Sequence, residues 1–133
     1  MLAEVFSYLL IFSLFGSTTQ GKADKVLTEG RWQLAMLGGK EVKSSDFAGN
    51  IPVISFTTDN KINGNTGCNS FSGSYTINGK GIRINPGAMT RMACPGNGEQ
   101  DFLHALQNTD HYKISGKQLK LLKGSKTVAT FKH

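Results

Sequence analysis

The sequence predicts a mainly β domain: a curled antiparallel sheet or partly open barrel of short strands, with one packed α-helix. Three observations carry that prediction. Sixteen glycines in 133 residues call for many turns and therefore short strands. Apolar residues alternate with polar ones, a period of two, in several separate stretches. Only one stretch, Gly98 to Gln107, spaces its apolar residues by three and four. With 38% hydrophobic and 18% charged residues, a chain of this length forms one ordinary core and has no room for a second.

The first fifteen residues, MLAEVFSYLLIFSLF, carry one charge, Glu4, and an apolar run from Val5 to Phe15 that is too short to span a bilayer as a helix. The run has the length of a signal-peptide core, although the usual basic start is missing. Small residues at Gly16 to Thr18 and at Gly21-Lys22-Ala23 offer two cleavage points. Residues 1–23 are therefore expected to be a signal peptide and short linker, and 24–133 the folded domain. A buried first helix or a mis-assigned start is the alternative. No cysteine lies between the apolar run and Lys25, so the acceptor thiol of a lipid anchor is lacking.

Along the domain, Trp32, Leu34 and Met36 alternate with polar or small neighbours and read as a strand that ends at Gly38-Gly39. Residues 40–50 are polar and irregular. Ile51 to Thr57 is the next strand, with Pro52 near its start, where a missing N–H is tolerated. A turn at Thr58 to Asn60 leads into a short return strand at Lys61 to Asn63. Two stretches then share one pattern: YTINGKGIRI from Tyr75 and YKISGKQLKL from Tyr112. Each reads as a hairpin turning at Asn78-Gly79 or Ser115-Gly116, where positive φ is cheap. A turn over Lys123 to Lys126 introduces a last strand, Thr127 to Lys132. In the helix, Phe102, Leu103 and Leu106 form the apolar stripe. Asn97 and Gln100 resemble a capping box, and Glu99 and Asp101 put negative charge in the first turn, where the helix dipole favours it.

Two cysteines fall in the domain, Cys68 and Cys94. Cys68 sits in NGNTGCNSFSGSY, among residues that accept left-handed backbone. Export would place both in an oxidising compartment, where a single bridge is their natural use. Closing that loop stabilises the fold by about 3.5 kcal/mol on chain-entropy grounds. Two unpaired thiols are the alternative. In the strand after Cys68, Phe71, Gly73, Tyr75 and Ile77 share one face, and Ser70, Ser72, Ser74 and Thr76 the other. Parity sets Cys68 with the serines, so it either meets Cys94 at the sheet surface or is turned inward by a bulge near Gly67 or Gly73.

The succession TGCNSFSGSY, PGAMTRMACPG, EQDFLHAL and YKISGKQLKLL, with Trp32 upstream, resembles the META domain, the family that includes the heat-shock protein HslJ. The resemblance spans roughly Leu27 to Phe131. It implies a small mainly β domain in envelope or secreted proteins associated with stress, drug tolerance or virulence, and it brings no catalytic activity or cofactor. Unlike lipid-anchored members, this chain has no lipobox cysteine.

Candidate chemistry is sparse. Phosphate-loop, zinc-protease and Ser-His-Asp signatures are absent. Two cysteines 26 residues apart, without a histidine pair, do not make a closed zinc site, so no metal is expected. A thiol-dependent hydrolase would need Cys68 activated by His104 or His111. Gly67, Asn69, Arg91 and Met92 form a ligand or structural motif. Arg91 stands alone as a charge in Met89 to Cys94, which reads as a strand of small and apolar residues. It either reads a carboxylate or phosphate or pairs with Glu99 or Asp101; the structural pair is the expectation.

The formal charge is +6, and after Asp110 there are lysines but no acidic residue. Lys113, Lys117, Lys120, Lys123 and Lys126 therefore form a candidate contact for anionic surfaces. Solvated charge that discourages edge-to-edge pairing is the alternative. Few aromatics are interleaved with them, so nucleic acid is not an expected partner. The function expected is that of a non-catalytic exported or envelope module that binds a partner outside the cytoplasm. Membrane contact is at most peripheral.

Overall fold

A computed structural model describes residues 25–133. The expected signal peptide and linker over 1–23 lie outside the described residues.

Nine antiparallel strands form one sheet that closes in a ring. They are β1 (Trp32–Leu37), β2 (Lys40–Glu41), β3 (Val53–Phe56), β4 (Lys61–Asn65), β5 (Ser70–Asn78), β6 (Gly81–Met89), β7 (His111–Ser115), β8 (Gln118–Lys123) and β9 (Lys126–Lys132). The helix α1 (Gly98–Asn108) lies between β6 and β7 in the chain. The mainly β prediction with one helix is correct.

β1 closes the ring because its two edges serve different partners. One edge pairs with β3 through Trp32 and Gln33 and with β2 through Met36 and Leu37. Its other edge runs along β9, from Gln33 opposite Lys132 to Leu37 opposite Ala129. The seam between β6 and β7 is the thinnest, a single register pair of Gly81 with His111. The chain leaves the sheet there to build α1.

The alternation read from the sequence sorts the core. Trp32, Leu34, Ile54, Phe56, Ile62, Phe71, Tyr75, Leu119, Leu121 and Phe131 are buried inside the ring. From α1, Phe102 enters between Phe71 and Phe131, at ring-centroid separations of 6.4 and 6.2 Å. The edge-on geometry of the Phe102–Phe131 pair is one aromatic rings favour.

Several boundaries differ from expectation for identifiable reasons. Each repeated hairpin turns one residue later than predicted. Asn78 pairs with Gly81 and Ser115 with Gln118, so Gly79-Lys80 and Gly116-Lys117 make the two-residue turns. Gly79 and Gly116 take φ of 62° and 60°, which suits a glycine-first hairpin turn. The 40–50 stretch is not wholly irregular: besides β2 it holds a 3-10 turn at Ser44–Phe47 that buries Phe47. Asn97 does not build a capping box, because its side chain makes no capping bond. Its carbonyl alone accepts, from the Asp101 N–H at 2.9 Å.

Residues 90–94 are not a strand, since β6 stops at Met89. The Thr90 N–H still donates to the Ser70 carbonyl of β5 at 3.0 Å, and beyond it the Met92 backbone is satisfied by a side chain.

Candidate functional site

That side chain belongs to Asn69, which is only 2% exposed. Its Oδ1 accepts from the Met92 N–H at 2.7 Å and from the Thr90 hydroxyl at 3.0 Å. Its Nδ2 donates to the Met92 carbonyl at 3.1 Å and to Glu99 Oε2 at 2.8 Å. Asn69 thus takes the place of a strand edge for Met92. Because Glu99 stands in the first turn of α1, the same amide ties the loop before β5 to the helix start.

The loop is set by its own sequence. Asn65 Oδ1 accepts from the Gly67 N–H at 2.7 Å, the short-range turn asparagine favours. Gly67 then adopts φ of +92°, and a Cβ there would lie 2.4 Å from the Asn50 carbonyl oxygen and 2.5 Å from Phe47 Cβ. Only glycine fits. Thr66, fully buried, closes the loop: its backbone N–H donates to Asn69 O at 2.8 Å, and its Oγ1 accepts from Asn69 N at 2.9 Å and Cys68 N at 3.3 Å. The Thr66 hydroxyl donates to Glu99 Oε2.

Cys68 occupies this loop and is bonded to Cys94, with Cα atoms 6.2 Å apart. The expected bridge is formed. Cys68 precedes β5, so strand parity does not place it, and neither does a bulge. A bulge does occur nearby, but on β6, where Pro86 and Gly87 together oppose Gly73. The face assignment along β5 is correct: Phe71, Tyr75 and Ile77 are buried, and Ser70, Ser72, Ser74 and Thr76 exposed.

Of the four motif residues, Gly67 and Asn69 are built into this clasp. Met92 joins it through its backbone while its side chain stays 62% exposed. The expected pairing of Arg91 with Glu99 or Asp101 is not formed, and Arg91 is exposed. Thr66 and Asn69 both donate to Oε2 of the Glu99 carboxylate. Sequence reasoning did not single out Thr66 and Thr90; a threonine beside the Asn-x-Gly turn was the available signal for the first.

Beside the clasp lies a cleft of about 430 Å³ between the β1–β2 hairpin, the 3-10 turn and the start of α1. Leu37, Val42 and Phe47 supply apolar wall, and Lys40, Asp46 and Asp101 supply charge. Pro95 to Gly98 form the facing wall. Gly98 lets that wall approach closely, since a Cβ would sit 2.0 Å from the Asp46 carbonyl oxygen. A second depression of about 320 Å³ shares Leu37 and Asp101 and adds His104 and Lys126.

The five lysines do not form one patch. Lys113 and Lys120 stand directly opposite each other on β7 and β8. Lys117 is in the turn between those strands. Lys123, beyond the far end of that pair, lies 3.8 Å from Asp110, and Lys126 lines the depression with His104. Asp110 also accepts from the Gly124 N–H at 2.8 Å and lies 2.7 Å from His111 Nδ1. Those bonds, that to His111 first, hold its carboxyl below the usual value of 3.8.

A ring-closed antiparallel sheet with one helix, clasped where the helix begins, defines a small β domain. The META domain matches residues 25–133, and the chain belongs to that family. No curated protein matches the chain. Among solved structures it is similar to a DUF4847 family protein from Bacteroides vulgatus, at 22% identity and TM-score 0.61, covering 82% of this chain and 95% of that one. A protein from Burkholderia xenovorans solved by NMR is similar at 25% identity and TM-score 0.61, covering 81% and 83%. A further NMR structure shares 29% identity at TM-score 0.61, covering 80% and 90%.

Proposed function

We propose that this chain is a non-catalytic, exported or envelope-associated binding module of the stress-associated kind, which recognises its partner in the cleft beside the clasp. One observation carries the reading: Pro95 to Gly98, one wall of the cleft, is anchored by the Cys94–Cys68 bridge on one side and by the grip on Glu99 on the other. Such a frame holds a recognition surface in shape before any partner arrives, which lowers the ordering cost of binding. The bridge also suits an oxidising compartment. While the two sulfurs are bonded to each other, neither serves as a nucleophile, which weighs against the thiol-hydrolase alternative.

The test uses the full chain immobilised and exposed to envelope extract of the source cells. Asp101→Arg reverses a charge shared by both depressions while leaving the core untouched. A partner retained by the wild-type chain and lost by the folded variant supports the cleft. Equal retention by both, or retention of nothing by either, removes it.

A second reading, peripheral contact with anionic surfaces, is favoured by the Lys113–Lys120 pair. Like charges directly opposite on neighbouring strands repel. No acidic residue of the last 23 offsets them, so an anion lying over the pair would relieve the repulsion.

A further inference from the structure

The clasp contains a second chemistry that the bridge conceals. One Sγ each from Cys68 and Cys94 and a carboxylate oxygen of Glu99 all lie within 4.8 Å of one another, and all three residues are half-buried. We propose that, when the bridge is reduced by a dithiol, these three side chains bind a divalent thiophilic cation of the zinc class, with solvent completing the coordination.

The conversion balances. The dithiol gives up two electrons and two protons and becomes a disulfide, while the Cys68–Cys94 bond breaks to leave two thiols. The cation then displaces those two protons into solvent as it forms two metal–sulfur bonds.

Geometry supports each part. Tetrahedral zinc holds sulfur at about 2.3 Å and carboxylate oxygen at about 2.0–2.2 Å, so its ligand atoms stand roughly 3.4–3.8 Å apart. That spacing is shorter than the 4.8 Å within which the three atoms already lie, and the two sulfurs separate once their bond is broken. The Cα atoms, 6.2 Å apart, need not close in.

Part of the frame does not use the bridge. Asn69 grips Met92 through both backbone groups, and Thr66 holds the amides of Cys68 and Asn69, so hydrogen bonds as well as the bridge draw the two cysteines together. Glu99 is already aimed by Asn69 and Thr66, both of which donate to its Oε2. Asn69 Nδ2 lies 3.4 Å from Cys94 Sγ and 3.8 Å from Cys68 Sγ. Its two N–H groups are given to Met92 and Glu99, so it acts on the sulfurs through the positive end of the amide dipole, which favours thiolates. Three protein ligands with an open position differ from the closed four-ligand pattern that the sequence spacing rules out.

The experiment takes the full chain, reduces it with a non-chelating phosphine, removes the phosphine without air and titrates with Co²⁺ as a spectroscopic stand-in for zinc. The expected result is one Co²⁺ per chain with a sulfur-to-cobalt charge-transfer band, displaced by Zn²⁺. The oxidised chain gives no such band. Glu99→Gln weakens binding about 10- to 100-fold, the scale on which ordered metal ligation depends on its partners. Absence of the band in the reduced chain, or equally tight binding by Glu99→Gln, overturns the proposal. Should reduction unfold the chain, the amide NMR spectrum is followed in the same titration. Recovery of dispersed signals at one equivalent of metal supports the site, and continued disorder overturns it.

Discussion

Asn69 Nδ2 donates to Glu99 Oε2 across 2.8 Å, joining the loop before β5 to the first turn of α1. The two are thirty positions apart in the chain, and the segment between them includes β5, β6 and Cys94. The amide uses both donors and both acceptor positions on protein groups, which an asparagine can do only in a site shaped for it. The clasp is therefore a polar network with every member satisfied, the condition under which buried polarity specifies a fold instead of weakening it.

Asn69→Ala is expected to destabilise the domain by about 3 kcal/mol, because the Met92 N–H and the Glu99 carboxylate each lose a partner in a partly dry place. Asn63→Ala, which removes an exposed bond to Ser72, is expected to cost less than about 0.5 kcal/mol. Urea unfolding of the two variants side by side measures the difference. Equal midpoints would show that Asn69 is dispensable.

Replacing both cysteines, Cys68→Ser with Cys94→Ser, is expected to remove about 3.5 kcal/mol, the entropy of the loop they close. The m-value rises as well, because the unfolded chain loses its cross-link and exposes more surface. An unchanged m-value would place the effect of the bridge in the native state.

Gly73 and Gly79 separate two reasons for a glycine. A Cβ on Gly73 would lie 1.9 Å from the Asn85 carbonyl oxygen, in the bulge made by Pro86 and Gly87, and backbone on both sides has nowhere to move. Gly79 faces open space and needs only its positive φ. Gly73→Ala is expected to cost about 3 kcal/mol or more, and Gly79→Ala about 1 kcal/mol. Thermal unfolding ranks them; a reversed order would mean the bulge relaxes.

The sheet was legible because its chemistry is local. Alternation marks most of the strands whatever they pair with, so Trp32, Phe71, Tyr75 and Leu119 could be placed on apolar faces before their partners were known; β9, with Ala129, Thr130 and Phe131 buried in succession, is the exception. Closure of the ring was not written locally, because it depends on β1 using two edges for three strands. The clasp was half legible. Gly67 and Cys68 announce a sharp loop, and an exported cysteine pair announces a bridge, but the reach of Asn69 to Met92 joins distant residues through a side chain that no periodicity marks. The same long reach misled the assignment of 90–94, where small and apolar residues imitate a strand. Arg91 is exposed and pairs with neither Glu99 nor Asp101; a sequence shows which acids are near, not which one a side chain reaches.

If the Lys113–Lys120 pair receives an anion, the domain should bind vesicles containing acidic lipid and not neutral ones. Binding should weaken steeply as salt rises, since screening shortens the reach of exposed charge. Lys113→Gln with Lys120→Gln is expected to abolish most of it, whereas Lys123→Gln, whose cation already faces Asp110, should change little. Co-sedimentation at several salt concentrations decides the matter, and salt-independent binding would remove the anionic-surface reading.

Asp110 gives the domain a defined response to acid. Its carboxylate accepts from His111 and from the Gly124 backbone N–H, and Lys123 adds a favourable charge, so its folded value lies below the ordinary 3.8. A carboxyl depressed in the fold contributes stability that is complete above its unfolded value and is lost as pH falls through the folded one. The loss therefore falls below about pH 4, where the unfolded chain takes up the proton first. Asp59 is depressed in the same direction, chiefly by its bond from the Thr57 hydroxyl, so two carboxyls share this acid limb. Asp110→Asn keeps an oxygen for the Gly124 N–H but cannot titrate. Its stability should match the wild type less a constant offset above pH 5 and fall less steeply below pH 4. Denaturant midpoints measured from pH 2 to pH 7 test this, and parallel curves for the two chains throughout would show that Asp110 contributes nothing to the acid response.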